Sequence, residues 1–230
     1  MSDVYRNYIA GQWVDAKSGK TFPNTNPANT SEIVGVFPAS GPDDAKAACD
    51  AAAKAQSAWS ATNAPRRGEY LYKAAELIES RLATIAEEMT REEGKTLPEA
   101  KGEIKRAINI LRYFGGEGAR QFSYQIPSER DNVFCYTLRK PLGVVALITP
   151  WNFPIAIPVW KLAPALVAGN TVVLKPASLA PLSSYRVVEA LHEMRFQQDV
   201  PEARLQRIRS DSAERLVKPC TYLSEHNVIQ

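Results

Sequence analysis

The sequence predicts an α/β fold built around a parallel sheet, and three observations support this prediction. Residues 143–149 and 171–175 are continuous apolar runs rich in β-branched residues, which is typical of strands buried on both faces of a parallel sheet. Between them lies an apolar helical segment that ends at Gly169 and Asn170, so the three segments form one βαβ unit. Residues 42–120 add three helical patterns ahead of this unit.

The segments before the βαβ unit change from strand to helix patterns. Residues 1–40 alternate apolar and polar positions between turn-forming residues, which predicts short strands. An alanine-rich helix begins at Pro42, a residue suited to a first helical turn. Residues 65–94 repeat apolar side chains every three or four positions, which predicts one helix ended by its final glycine. A third helix then runs to Gly115 and Gly116, which should end or bend it.

The segments on either side of the βαβ unit are a hairpin and a final helix. Residues 121–140 carry apolar residues on both sides of a polar tip, which predicts a β-hairpin. An isolated hairpin this apolar is marginal in water, so it needs a pairing partner such as another subunit. A helix is predicted over residues 181–194. Residues 195–230 hold none of the 12 glycines and show weak periodicity, and no strand is predicted there.

The composition is that of a globular protein, since 45% of the residues are apolar and 23% are charged. The net charge of +3 comes from 28 basic and 25 acidic residues spread along the chain, which argues against binding to nucleic acid. No apolar stretch approaches the roughly 18 residues of a membrane span, and no secretion signal is found. The three widely spaced cysteines match neither a disulfide framework nor a metal site, so we expect a cytoplasmic protein without a metal or membrane partner.

Two polar residues stand at the ends of the two predicted buried strands, where open α/β sheets bind ligands. Asn152 offers amide donors that suit an oxygen becoming negative during acyl chemistry, although its spacing alone favours an asparagine that serves a turn. Lys175 could donate to ribose hydroxyls or face a 2′-phosphate, or it could be a surface lysine. The paired carboxylates Glu92 and Glu93 are interpreted as solvated on a helix surface. No glycine-rich phosphate-binding motif follows the first strand, so these residues indicate a candidate nucleotide site and no more.

Several motifs together resemble the N-terminal half of an NAD(P)-dependent aldehyde dehydrogenase. The resemblance covers about residues 5–194 and is closest to 2-oxoglutarate semialdehyde (2,5-dioxopentanoate) dehydrogenases. The motifs are GKTLPEAKG at 94–102, PLGVV at 141–145, TPWNFP at 149–154, WK at 160–161, PAL at 164–166, GNTVV at 169–173 and KPAS at 175–178.

The resemblance implies part of a Rossmann-like cofactor-binding domain. Residues 1–120 would supply its N-terminal strands and helices, and residues 121–140 an oligomerisation hairpin. Residues 141–194 would form the first βαβ unit of the dinucleotide-binding fold, and residues 195–230 would be a tail outside the family.

The resemblance also implies a reaction, the NAD(P)⁺-dependent oxidation of an aldehyde to a carboxylic acid. In such enzymes a cysteine thiolate attacks the aldehyde and hydride passes to the nicotinamide. Asn152 matches the amide that stabilises the oxyanion, and Lys175 matches the residue that binds the adenosine ribose. Ser178 replaces a glutamate of many NAD-preferring members, so the cofactor is NADP or NAD, with NADP tolerated or preferred. The other matches are Ile148, Thr149, Pro150 and Trp151 along the cofactor, and Phe153 and Trp160 in the aldehyde tunnel.

The sequence departs from the family pattern in its second half. The family's nucleophilic cysteine motif and its glutamate base have no counterpart, since residues 218–222 (KPCTY) lack that motif, and family subunits are much longer. We therefore expect a truncated chain with no dehydrogenase turnover of its own and a tail that is out of frame or poorly ordered. The complete homo-oligomeric enzyme would then oxidise the small-molecule aldehyde. The alternative is a non-catalytic fragment that acts at most in binding or assembly.

Overall fold

The computed structural model describes residues 3–194 and 220–222, and it has an α/β architecture. The predictions for the remainder of the tail lie outside these residues. The first four strands are β1 (Asn7–Ile9), β2 (Gln12–Val14), β3 (Thr21–Asn26) and β4 (Asn29–Pro38). The helices that follow are α1 (Pro42–Ala61), α2 (Ala64–Ser80), α3 (Leu82–Glu93) and α4 (Leu97–Glu117). The remaining elements are β5 (Gln125–Ile126), β6 (Cys135–Tyr136), β7 (Val144–Ile148), α5 (Ala156–Val167), β8 (Thr171–Lys175), α6 (Pro181–Glu193) and β9 (Cys220–Tyr222).

Five strands form the main sheet in the order β2-β1-β9-β8-β7. Strands β7, β8 and β9 are parallel to one another, whereas β1 is antiparallel to both β2 and β9. The predicted βαβ unit is confirmed, because α5 connects the parallel strands β7 and β8. Strand β9 was not predicted, since three residues are too few to show a strand period.

The two predicted buried strands differ in their surroundings. In β8 the side chains of Thr171 to Leu174 are buried, as expected. The prediction that β7 is buried on both faces is wrong, because Val144 and Ile148 are exposed and Leu147 is its one fully buried residue. Within the described residues β7 is an edge strand, so one side of it has neither a neighbouring strand nor the packing such a neighbour brings.

The helical pattern over residues 65–94 forms two helices rather than the single helix predicted. Arg81 leaves the helical conformation between α2 and α3, with φ −108° and ψ 11°. Its guanidinium binds the carboxylate of Glu193 in α6, with one hydrogen bond of 2.9 Å. Neither glycine nor proline marks this break. A contact between distant elements therefore accompanies a change of direction that the local periodicity does not reveal.

The paired glycines lie in the last turn of α4, which ends at Glu117, one residue beyond Gly116, as expected. They also lie where two helices approach closely. A Cβ placed on Gly68 of α2 would overlap the carbonyl oxygen of Gly115, and a Cβ on Gly115 would press on the ring of Tyr72. The absence of side chains at these positions lets α2 and α4 pack backbone to backbone.

Helices cover β8 on both of its faces. Val172 and Leu174 belong to the main core, which includes the apolar faces of α2, α4, α5 and α6. Val173 points the other way and packs on Ala48 and Ala52 of α1. This alternation places β8 in the centre of a three-layer arrangement and fixes the direction in which its carboxyl end points.

The predicted hairpin over residues 121–140 is confirmed as the antiparallel pair β5 and β6. Its apolar side chains face solvent, namely Phe122, Tyr124, Ile126, Val133, Phe134, Tyr136 and Leu138. Among the residues that the structure describes, no helix has both the length and the apolar content needed to cross a bilayer.

Candidate functional site

The ends of β7 and β8 lie side by side and bring together the two predicted site segments. Ile148, the last residue of β7, is paired in register with Lys175, the last residue of β8. The backbone N–H of Thr149 then donates to the carbonyl of Lys175 at 3.1 Å. The loops that begin with Thr149 and Pro176 therefore leave the sheet at the carboxyl ends of its parallel strands. Parallel α/β sheets bind ligands at this end.

Side chains from α5, from α6 and from the segment between α3 and α4 bind the backbone of Ile148 and of the loop after β7. Lys161 of α5 donates to the carbonyl of Ile148 at 2.9 Å. Lys95, between α3 and α4, donates to the carbonyl of Asn152 at 3.1 Å. Ser184 of α6 donates to the carbonyl of Pro154 at 2.7 Å. The loop is thus held along its length rather than only at its ends.

Glu103 of α4 binds the far end of this loop and the start of α5. Its Oε1 accepts hydrogen bonds from the backbone N–H groups of Ile155 at 2.9 Å and Ala156 at 3.0 Å. The buried carboxylate of Glu103 therefore caps the amino terminus of α5, which has no capping side chain of its own. Its negative charge also interacts favourably with the positive end of the helix dipole. Its Oε2 accepts a hydrogen bond of 2.6 Å from Lys95 Nζ.

Lys95 lies between two carboxylates in a nearly buried position. Its Nζ is 2.6 Å from Glu103 Oε2 and 3.2 Å from Glu93 Oε2. Burial alone would lower the pKa of Lys95, but the hydrogen bond to Glu103 and the charges of Glu103 and Glu93 outweigh it and raise that pKa above its ordinary value. The ammonium group therefore stays charged, and it also lies 4.7 Å from the centre of the Phe153 ring.

Sequence analysis did not select the glutamates that shape this region. The interpretation of Glu92 as solvated is wrong, because it is 2% exposed and accepts hydrogen bonds from the backbone of Leu182 and Ser183 at the start of α6. Glu103 plays the corresponding part at α5. Their partners are at least 52 residues away in the chain, so no local pattern signals them. Lys95 belongs to the motif GKTLPEAKG at 94–102, which contributes to the family resemblance but does not by itself indicate this role.

The residues predicted for the site divide into buried and exposed groups. Asn152 is exposed, and its side-chain amide has no hydrogen-bond partner in the described part of the chain. Thr149 is buried, and its Oγ1 is likewise unpartnered there. The apolar members are unusually exposed for side chains of their size, which is typical of a surface that contacts a ligand or another chain segment. Their exposed fractions are 61% for Ile148, 52% for Trp151, 40% for Phe153 and 37% for Trp160.

A second cation lies beside one of these aromatic rings. The guanidinium of Arg106, in α4, is 4.9 Å from the centre of the Trp160 ring in α5. Arg106 is exposed, and it has no ion pair within residues 3–194 and 220–222. Because Glu103 and Arg106 are three positions apart in one helix, both project towards α5.

The segment after β8 contains the other two predicted cofactor residues. Lys175 is half-buried, and its Nζ lies 3.5 Å from the carbonyl oxygen of Pro176. Ser178 is half-buried in a turn in which Ala180 N–H donates to the carbonyl of Ala177 at 3.2 Å. Asn24 in β3 donates to the carbonyl of Leu179 at 3.0 Å and links this turn to the N-terminal strands.

The described residues show no acidic cluster of metal-binding type. Within them, no group of three or more His, Cys, Asp or Glu side chains is arranged to hold a metal ion. Cys49 of α1 is exposed, and Cys135 lies half-buried in the hairpin.

Comparison with known proteins gives matches along most of the chain. The model of the aldehyde dehydrogenase family matches residues 13–218. The alpha-ketoglutaric semialdehyde dehydrogenase of Bacillus subtilis (strain 168) is 48% identical over 191 residues, which are 83% of this chain and 39% of that protein.

Solved structures match as well. An NADP-dependent enzyme from E. coli has a TM-score of 0.85 and 34% identity, over 98% of this chain and 43% of that one. PnpE in complex with nicotinamide adenine dinucleotide has a TM-score of 0.83 and 32% identity, over 98% of this chain and 42% of that one. The chain therefore spans about two fifths of the proteins it matches.

Proposed function

Because the chain belongs to the aldehyde dehydrogenase family, we propose that it supplies the cofactor-facing part of an enzyme that oxidises a semialdehyde to a carboxylic acid. The observation that carries this proposal is the loop after β7. This loop carries Asn152 at the carboxyl ends of β7 and β8, where Ile148 and Lys175 are paired, and Lys95, Lys161 and Ser184 bind the backbone there. An α/β sheet binds a nucleotide at this end of its strands.

The cofactor is NAD or NADP, since the two similar solved structures named above are an NADP-dependent enzyme and a complex with nicotinamide adenine dinucleotide. The residues present fit a dinucleotide, because the unpartnered hydroxyl of Thr149 and the ammonium of Lys175 stand at neighbouring strand ends. When bound, the cofactor accepts the hydride from the substrate. Lys175 would donate hydrogen bonds to the adenosine ribose, and neutral Ser178 would not repel the 2′-phosphate of NADP.

Asn152 is the residue proposed to act on the reacting oxygen. Its amide N–H groups donate without losing a proton, and they would stabilise negative charge that develops on the aldehyde oxygen. No other described side chain competes for that amide. Loss of one such donor lowers kcat by roughly 100- to 1,000-fold in comparable sites.

Arg106, which has no ion pair among the described residues, lies beside an aromatic ring and indicates the substrate class. The semialdehyde named for the Bacillus subtilis relative carries a carboxylate at the end remote from its aldehyde. Arg106 is exposed, unpaired in the described part of the chain, and stacked on Trp160. A planar guanidinium held in this way suits two-point binding of a carboxylate. We propose that Arg106 binds the distal carboxylate while Phe153 and Trp160 contact the carbon chain.

The nucleophile is proposed to lie in the part of the relatives that this chain does not span. The 230-residue chain alone should therefore bind NADP⁺ but show no aldehyde oxidation, since an oxyanion donor does not replace a covalent nucleophile. Saturable oxidation of an aldehyde by the purified chain would contradict this. Binding is measured by titration calorimetry, and Lys175→Ala should weaken it.

A chimeric subunit tests the activity itself. In this chimera, residues 5–194 replace the matching segment of the Bacillus subtilis relative, which supplies the rest of the subunit. We expect it to reduce NADP⁺ with alpha-ketoglutaric semialdehyde, and Asn152→Ala to lower kcat by roughly 100- to 1,000-fold. A chimera that folds and binds NADP⁺ but oxidises no semialdehyde would refute the proposed function.

A further inference from the structure

We propose that Lys95 and Glu103 are positioning residues that set the orientation of Asn152. This inference rests on the proposed function, in which Asn152 binds the reacting oxygen. Neither side chain reaches that oxygen. They act by holding the backbone on both sides of the Asn152 side chain.

The two side chains close a hydrogen-bonded ring around the loop. Lys95 binds the carbonyl of Asn152 at 3.1 Å, and Glu103 binds Lys95 at 2.6 Å. The other oxygen of Glu103 binds the N–H groups of Ile155 and Ala156 at 2.9 and 3.0 Å. The backbone is therefore fixed at residue 152 itself and again one helical turn later.

Burial makes this ring effective and sensitive to charge. The Lys95 side chain is 14% exposed, whereas those of Glu103 and Glu93 are 1% and 7% exposed. Hydrogen bonds among such poorly solvated groups are strong, and an unpaired member is costly. Removal of the ammonium would leave two carboxylates facing each other without a cation.

Lys95 also touches the residue next to Asn152. Its ammonium lies 4.7 Å from the centre of the Phe153 ring, which the proposed function places against the carbon chain of the substrate. One cation thus fixes the backbone of the oxyanion donor and the ring beside it. Phe153 and Asn152 would move together if Lys95 were lost.

The orientation of Asn152 depends on this support. Its side chain has no hydrogen bond in the described part of the chain, so only the backbone directs the amide. A shift of about 1 Å in a reacting group costs on the order of 100-fold in rate. The lysine and glutamate therefore matter for catalysis without contact with the substrate.

The first test measures the loop in the 230-residue chain. Hydrogen–deuterium exchange is followed in peptides that cover residues 149–156. Lys95→Met and Glu103→Gln should each speed exchange of the Ile155 and Ala156 amides at least tenfold, whereas Lys95→Arg should keep it close to wild type. The matched control is Lys105→Met, an exposed lysine of α4, which should change nothing. Unchanged exchange in Lys95→Met and Glu103→Gln would overturn the inference.

The second test measures catalysis in the chimera. Lys95→Met should lower kcat about 10- to 100-fold with the KM for NADP⁺ unchanged, and Lys95→Arg should restore most of it. Lys95→Met should lower kcat much less in the Asn152→Ala background than in the unsubstituted chimera, because most of its effect acts through that amide. Fully additive losses would overturn the inference. If the unsubstituted chimera were inactive, the proposed function would fail, and the exchange experiment would still decide whether Lys95 and Glu103 hold the loop.

Discussion

Glu92 and Glu103 are buried carboxylates that each bind the amino terminus of a helix distant in the chain. Glu92 accepts hydrogen bonds from Leu182 N–H at 2.6 Å and from Ser183 N–H at 2.9 Å, at the start of α6. The Ser183 hydroxyl adds a third, at 2.6 Å. Burial nevertheless raises the pKa of Glu92 to about 7, since desolvation outweighs these three bonds.

Glu92 should make the folded chain less stable as pH rises. Because its pKa is raised by folding, its favourable contribution is complete below about pH 4.5 and is lost as pH rises through about 7. We expect the free energy of unfolding of wild type, relative to Glu92→Gln, to fall by on the order of 1–3 kcal/mol between pH 4.5 and 8. Urea unfolding across this range measures it, and a difference that rises with pH would contradict the assignment.

Arg106 should affect only substrates that carry a distal carboxylate. In the chimera, Arg106→Leu should lower kcat/KM for alpha-ketoglutaric semialdehyde about tenfold or more, because a charge-assisted hydrogen bond contributes ~1.5–3 kcal/mol. Pentanal, which lacks the carboxylate, is the control and should be oxidised at an unchanged rate. Equal losses for both aldehydes would show that Arg106 merely supports Trp160.

The residues of the site were predictable to different degrees. Asn152 and Lys175 could be chosen from sequence because Asn152 follows a strand and Lys175 ends one, and the structure brings the two strand ends together. Their roles stay predictions. Lys95 and Glu103 could not be chosen from sequence, because the hydrogen bonds that give them a place in the site join residues 52 to 57 positions away in the chain. Such contacts depend on how α4 packs on α5, which no local period encodes.

Among the elements, α2 and α4 form a close helix pair that depends on glycine. A Cβ on Gly68 would collide with the backbone of Gly115, whereas a Cβ on Gly102, in the same helix as Gly115, would meet nothing within 4 Å. The two positions thus provide a matched pair in which the same substitution has opposite effects.

Gly68→Ala should destabilise the chain by about 1–3 kcal/mol, because the two helices must move apart. Gly102→Ala should stabilise it by up to about 1 kcal/mol, since alanine favours helix and has room there. Chemical denaturation followed by circular dichroism measures both. If Gly68→Ala were as well tolerated as Gly102→Ala, the close approach of α2 and α4 would be disproved.

Helix and strand positions were largely predictable, whereas their boundaries and surroundings were not. The periodicity identified α1, α4, α5 and α6, but it did not show the break at Arg81, where neither glycine nor proline stands and the side chain contacts Glu193 of α6. The apolar run of β7 correctly predicted a strand and wrongly predicted burial. An apolar, β-branched sequence indicates that a segment can form a buried strand. Whether its side chains are buried depends on the elements that pack against it.

At the scale of the whole molecule, two surfaces lack cover in the described residues. One is the outer edge of β7, and the other is the apolar hairpin formed by β5 and β6. Both are features that favour association with another chain. The homo-oligomer predicted from the sequence is consistent with the hairpin and stays a prediction.

The hairpin should drive self-association of the 230-residue chain. We expect the average mass by light scattering to rise with concentration, and Phe134→Ser to reduce that rise, because Phe134 is an exposed aromatic beside β6. Glu129→Gln at the polar tip is the control and should leave the mass unchanged. A chain that stays monomeric at every concentration would contradict the prediction.

The position of β9 has a consequence for the order in which the chain folds during synthesis. This strand lies between β1 and β8, and Tyr8 is paired with Tyr222. The β1–β2 hairpin is among the first segments to leave the ribosome, yet the described sheet offers it no neighbour until Cys220–Tyr222 has emerged. Closure of so long a loop is entropically costly and slow, so joining the two ends of the sheet should be a late, rate-limiting event.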